Sequence, residues 1–193
     1  MHETMDLCVG CKGCRRECPT GIDMAKMKVE FLHHYHQRHA PSLKDRLIAY
    51  LPRYAMLASR FAPLLNLRNR VGLLAWIGER ALGLSAQRSL PRWHAQRFND
   101  KQVVEDGDHV GNGEVVLLVD TFNRYFESDN ARAAHAVLVA GGYRVHLLQA
   151  ADGKRPLCCG RTFLASGMVD EARSEARRLL EAVRTYVSRG IPI

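Results

Sequence analysis

The sequence predicts a mainly α-helical protein with an α/β part. Between residues 24 and 97, apolar residues recur at three- and four-residue spacing and are punctuated by Pro52, Pro63 and Pro91, which reads as a series of amphipathic helices. Val115–Val119 has a different period: it is a continuous apolar run of β-branched residues and leucine, the pattern of a buried parallel strand. Beyond it, a second strand-like run and two helix-like stretches alternate as β-α-β-α.

Taken in order, Asp23 is placed to cap a helix whose apolar face is Met24, Met27, Phe31 and Tyr35. Pro41 ends that helix and Ser42 caps the next. Apolar stripes follow at Leu43, Leu47, Ile48 and Leu51, then at Tyr54, Leu57, Ala58 and Phe61, then at Leu73, Leu74, Ile77, Ala81 and Leu82. The polar, Gly-rich stretch EDGDHVGNGE at 105–114 marks a domain boundary. After the strand at Val115–Val119, Ser128 opens a helix that runs to Ala140 and is closed by Gly141 and Gly142. Tyr143–Leu148 is the second strand. A long helix over Val169–Arg189 carries Ala172, Ala176, Leu179, Leu180, Val183 and Tyr186 on its apolar side, and Gly190 caps it. Right-handed crossovers are expected between the strands. Ile191-Pro192-Ile193 then begins another strand. A parallel sheet needs more than two strands to bury both faces, so the expectation is a fragment or one piece of a split protein.

Of the 193 residues, 47% are hydrophobic, enough for a packed core. No run of eighteen apolar residues occurs, because Arg68 and Arg70 interrupt the two best candidates, and a transmembrane helix is not expected. The opening MHETMDLC is no secretory signal, so a cytoplasmic setting is expected. The net charge of +8 is local: residues 40–97 hold ten Lys/Arg and two Asp/Glu. Such a segment suits an acidic partner, a peripheral contact with the inner, anionic face of a membrane, or simply the solvated side of amphipathic helices. The basic stretch RSLPRWHAQR at 88–97 lacks interleaved aromatics, and no nucleic-acid partner is expected. No phosphate-binding, dinucleotide-binding or nucleophile-elbow motif is present.

The cysteines carry the chemistry. Four of six fall in Cys8-Val-Gly-Cys11-Lys-Gly-Cys14-Arg-Arg-Glu-Cys18-Pro19, a C-x2-C-x2-C-x3-C-P run. Two-residue gaps let a backbone curl round a cubane cluster so that several thiolates converge on it, and Gly10 and Gly13 permit the turns this requires. In two-cluster ferredoxins the fourth cysteine of such a run ligates the other cluster. Cys8, Cys11 and Cys14 are therefore expected on one [4Fe–4S] cluster, with Cys18 directed to a second. A partner motif would lie upstream on a longer parent or on another chain. A zinc-binding scaffold is the competing reading, although zinc pairs are usually well separated in sequence. A disulfide framework would spread its cysteines over the fold.

Cys158 and Cys159 are adjacent and precede Gly160, which suits a metal or redox pair; two buried structural thiols are the plainer alternative. Among the histidines, His33, His36 and His39 share helical spacing and His34 lies between them; a surface position is favoured over a metal site.

The stretches CVGCKGCRRECPTGIDMAKMK, DTFNRYFE and LCCGRTFLASGMVDEAR together resemble the iron–sulfur part of FAD-linked D-2-hydroxyacid oxidoreductases, a group that includes D-lactate and D-2-hydroxyglutarate dehydrogenases and the iron–sulfur subunit of glycolate oxidase. The resemblance implies an α-helical ferredoxin-like module at 1–40 with only the second of two cysteine motifs, a basic helical linker at 41–104, and the first half of a truncated CCG-type cysteine-rich domain at 113–193. It implies Cys158 and Cys159 as further metal ligands. It also implies FAD on an absent domain or partner chain, and a quinone or cytochrome as electron acceptor. Thr121 stands where that group carries a cysteine. The resulting expectation is an electron-transfer component of a 2-hydroxyacid dehydrogenase, not catalytic by itself. The alternative is a truncated, non-catalytic remnant or interaction subunit without an intact cluster.

Overall fold

Polar caps set where the first long helices begin. The Asp23 carboxylate accepts the Lys26 N–H at 2.9 Å, and the Ser42 hydroxyl accepts the Asp45 N–H at 3.1 Å. Both are the caps expected from sequence. The structure, a computed structural model, describes residues 2–100 and 111–193. Its elements are α1 (His2–Asp6), α2 (Gly13–Glu17), α3 (Met24–His36), α4 (Leu43–Ala49), α5 (Leu51–Ala58), α6 (Ala62–Asn66), α7 (Gly72–Leu82), β1 (Glu114–Leu117), α8 (Thr121–Tyr125), α9 (Ser128–Ala140), β2 (Arg144–Leu147), α10 (Arg161–Ala165) and α11 (Val169–Ser188). The architecture is mainly α with an α/β part. Most of the boundary stretch expected at 105–114, namely residues 105–110, lies outside the described residues. Among the described residues no helix is long and apolar enough to cross a membrane.

The chain folds as two compact units, Met1–Leu51 with Gly160–Ser174 and Pro52–Cys159 with Glu175–Ile193. In the first, Ala49, Phe163 and Ala172 form the core, with Tyr50, Leu164 and Met168 around them. Tyr50 meets Phe163 edge-on at 5.0 Å. Thr162 donates its hydroxyl to the Ala49 carbonyl at 2.9 Å. The turn between α10 and α11 presses on α3 at Gly167, where φ is +73° and a Cβ would lie 2.5 Å from the Leu32 Cβ. The buried side of α3 differs from the stripe expected from sequence. Its buried residues are Ala25 and Leu32, while Met27 is exposed.

In the second unit, Pro52 and Pro63 sit in the first turns of α5 and α6, where a missing N–H costs nothing. The buried side of this helical stretch is made of Pro52, Ala55, Ser59, Ala62 and Ala75. Leu57, Phe61, Leu73 and Ile77, expected inside, face outward. Small residues let backbones approach closely, so they occupy the packed side in place of the leucines. The irregular stretch after α7 is held by side-chain amides. Asn66 bonds both the N–H and C=O of Trp93, and Asn69 does the same for Leu90.

β1 and β2 pair in parallel, from Glu114 opposite Arg144 to Leu117 opposite Leu147. Alternating side chains put Leu117, Val119 and Leu147 on one face with Phe98 and Ala131 of α9, and Val116, Leu118 and Leu148 on the other with Leu179, Val183 and Tyr186 of α11. Both faces are covered, as a parallel sheet requires. The Val116 N–H donates to the Pro192 carbonyl at 2.8 Å, and Ile191 joins the core beside it. The last residues thus lie along the free edge of β1 without forming a strand. Proline has no N–H to return.

One polar group interrupts the buried side of α11. Glu175 is fully buried, and Arg155 forks both its oxygens at 2.7 Å while Arg53 and Arg178 approach at 3.3 and 3.2 Å. Burial alone would push the Glu175 carboxyl up; the bonds and charges of Arg155, Arg53 and Arg178 outweigh it and hold the group below the usual range.

Candidate metal centre

The first four cysteines lie on one loop and the short helix that follows it. Cys8 follows α1 and donates its N–H to the Met5 carbonyl at 3.1 Å. Gly10 turns the chain with φ of +70°. The second left-handed residue is Lys12, with φ of +62°, rather than Gly13 as expected; Gly13 begins α2, and the reversal falls on the residue before it. Lys12 is 4.0 Å from the Asp23 carboxylate. Cys14 lies in α2, and the Cys18 N–H closes that helix on the Cys14 carbonyl at 2.8 Å. Pro19 then leads a turn closed by the Gly21 N–H on the Cys18 carbonyl at 2.9 Å.

Two of the four sulfurs have polar partners. The Met24 N–H, at the start of α3, donates to Cys14 Sγ at 3.3 Å. Cys18 Sγ lies 3.1 Å from the Thr20 hydroxyl. That hydroxyl, followed by the N–H groups of Ile22, Thr20 and Gly21, lowers the Cys18 thiol below its ordinary value. Cys11 is exposed, and Cys8, Cys14 and Cys18 are partly covered. No disulfide joins any of the six cysteines. Among the described residues, no three Cys, His, Asp or Glu side chains are already drawn together as a set able to hold a metal ion. The donor chemistry nevertheless fits a thiolate-ligated iron–sulfur group: four soft donors lie within eleven residues, an N–H faces sulfur at Cys14 and a hydroxyl faces it at Cys18.

Two cations that the sequence did not single out hold the loop. Lys28 Nζ, on α3, donates to the Cys8 carbonyl at 2.9 Å, and Arg161 Nη2, on α10, donates to the Gly10 carbonyl at 3.4 Å. They are twenty and 151 residues from their partners, so no local pattern announces them.

Cys158 and Cys159 belong to the second unit. Cys158 is buried directly after Leu157, a core residue, and Cys159 is exposed. Gly160 belongs to the first unit. Its φ is +79°, and a Cβ there would lie 2.7 Å from the Ala172 carbonyl oxygen, so close approach to α11 requires this glycine. Thr121 is the buried first residue of α8, and Asp120 caps that helix by accepting the N–H groups of Phe122 and Asn123. Of the histidines, His34 lies 3.2 Å from Glu30, and His39 stacks on Tyr35 at 4.1 Å.

No protein-family model and no solved structure matches the chain. Curated relatives do. A D-2-hydroxyglutarate dehydrogenase of Haemophilus influenzae is 23% identical over 199 residues, covering 98% of this chain and 19% of that protein. The D-2-hydroxyglutarate dehydrogenase of Escherichia coli K12 is 33% identical over 137 residues, covering 66% of this chain and 14% of that protein. One subunit of the anaerobic glycerol-3-phosphate dehydrogenase of Escherichia coli K12 is 25% identical over 155 residues, covering 79% of this chain and 38% of that protein. The chain spans about a fifth or less of these two hydroxyglutarate dehydrogenases. It is thus similar to one part of larger oxidoreductases.

Proposed function

We propose that the chain is the iron–sulfur electron-transfer component of an FAD-dependent D-2-hydroxyacid dehydrogenase. Cys8, Cys11 and Cys14 would hold one [4Fe–4S] cluster, with Cys18 directed to a second. When bound, such a cluster accepts and donates single electrons. The observation that carries the reading is the C-x2-C-x2-C-x3-C-P loop, with the Met24 N–H facing Cys14 Sγ and the Thr20 hydroxyl facing Cys18 Sγ. Hydrogen bonds of this kind stabilise thiolate over thiol and help set a cluster's potential. The similarity to two kinds of dehydrogenase supports the setting. FAD would lie on another domain or partner chain, and a quinone or cytochrome would take the electrons. Cys158 and Cys159 supply two further thiols in the same reading. A [4Fe–4S] site takes four ligands, so this pair would need donors from elsewhere.

The decisive experiment is anaerobic purification, alone and with any flavoprotein encoded beside it, followed by iron, acid-labile sulfide and zinc analysis. Iron and sulfide in stoichiometric amounts, with a visible spectrum that dithionite bleaches, are expected. Zinc without sulfide, or metal-free protein in both preparations, overturns the reading.

A further inference from the structure

We propose that Lys28 and Arg161 are positioning residues for the cysteine loop: they fix the backbone between Cys8 and Cys11 and place two positive charges beside the bound cluster. The inference rests on the cluster reading above and deepens it.

Residues 8–12 belong to no helix or strand. Left to itself, such a stretch solvates its carbonyls with water and moves. Here the two carbonyls that bracket Val9, those of Cys8 and Gly10, are each bonded by a cation from a distant helix. The Lys28 bond is the stronger, at 2.9 Å and partly buried; the Arg161 bond is 3.4 Å and exposed. α3 therefore acts twice on this loop, through the Met24 N–H on Cys14 Sγ and through Lys28 one turn on. Lys28 and Arg161 also line one cavity of about 470 Å³ beside Cys8, together with Lys12, Arg15 and Lys26. Asp23 and Glu30 are its acidic lining, so five cations face two carboxylates. A thiolate-ligated cluster gains negative charge on reduction, and nearby positive charge favours that state. The two bonds thus predict two separable effects, retention of the cluster and a higher reduction potential.

The test uses the full chain, purified anaerobically, as wild type, K28M, R161Q, K28R and R161K. K26M serves as control: Lys26 lines the same cavity, but its side chain makes no bond to the loop among the described residues. Circular dichroism checks folding, and iron and sulfide are measured before each potentiometric titration. In K28M the expected results are a lower midpoint potential and iron loss to a chelator about fivefold faster than in wild type. R161Q moves both in the same direction by less. K28R and R161K stay near wild type, and K26M moves the potential by less than half as much as K28M. Unchanged potential and unchanged chelator rate in both K28M and R161Q overturn the positioning role while the cluster reading stands. Equal shifts in K26M and K28M also overturn it, because general charge then explains the effect. A wild-type protein without iron and sulfide, both alone and purified with the flavoprotein encoded beside it, overturns both. If K28M does not fold, the K28R and R161Q pair decides on the same two readouts.

Discussion

The two cysteine-bearing stretches reach their shapes by opposite means. From Cys8 to Cys18 most of the form is local: a left-handed Gly10 and Lys12, a five-residue helix, and a turn that closes on Cys18. Around Cys158 almost nothing is local. Leu157 packs with Val116 and Leu148, Arg155 grips Glu175 twenty residues away, and Gly160 lies against Ala172. A stretch of the first kind announces its chemistry by spacing alone. One of the second kind shows an odd dipeptide and hides what holds it.

The sharpest way to break this contrast is to remove single thiols. Cys11→Ala or Cys14→Ala is expected to abolish iron and sulfide binding, whereas Cys159→Ala leaves the iron of the Cys8–Cys18 run in place. Iron analysis of the three variants decides it. Full iron content in Cys11→Ala would sink the ligand assignment.

The next effect falls on the long-range framework of the second stretch. Glu175→Ala leaves the guanidiniums of Arg53, Arg155 and Arg178 facing a void and is expected to cost about 3 kcal/mol, read by urea unfolding. The same cluster predicts an acid dependence. The Glu175 carboxyl is held below its ordinary value, so its contribution is complete above the unfolded carboxylate value of about 4.3 and is lost as pH falls toward the lower native one. Glu175→Gln, less stable at neutral pH, should lose less on acidification. Parallel pH profiles for the two proteins would remove Glu175 from the account.

Glycines sharpen the comparison further. Gly160 and Gly21 both have positive φ, at +79° and +67°, but only Gly160 is also in close contact. Nothing lies within 4 Å of a Cβ at Gly21. Gly21→Ala therefore meets only the backbone penalty, about 1 kcal/mol. Gly160→Ala adds a clash with the α11 backbone and is expected to cost about 3 kcal/mol. Equal melting-temperature losses would show that the Cys-Cys-Gly turn is as local as the first loop.

These examples also mark how much is legible from sequence. The caps at Asp23 and Ser42, the two strands and helix α9 follow from local chemistry and read directly from the residues. The short helices α8 and α10 do not, because five residues hold too few turns to show a period. The apolar sides of α3 and of α5–α7 depart from the expected stripes, most plainly in α5–α7. Hydrophobic spacing singles out large residues, whereas the most buried positions there include Ala25, Ala55, Ala62 and Ala75. In α11 the buried side includes Glu175, whose burial three arginines make tolerable, two of them from elsewhere in the chain. At the candidate centre the candidate ligands are legible and their supports are not, since Lys28 and Arg161 act from distant helices.

The smallest effect is expected at Thr121. It stands where the resembled group carries a cysteine, yet it is buried as the first residue of α8. The cap of that helix is the Asp120 carboxylate, which bonds the N–H groups of Phe122 and Asn123 at 2.7 and 3.2 Å. Thr121→Ala leaves those bonds intact and removes a methyl and a hydroxyl from a packed position. It should lower stability by about 0.5–1 kcal/mol in urea unfolding and leave iron content unchanged. Iron loss in this variant, with the fold retained, would tie α8 to metal binding and end its reading as a helix that only packs.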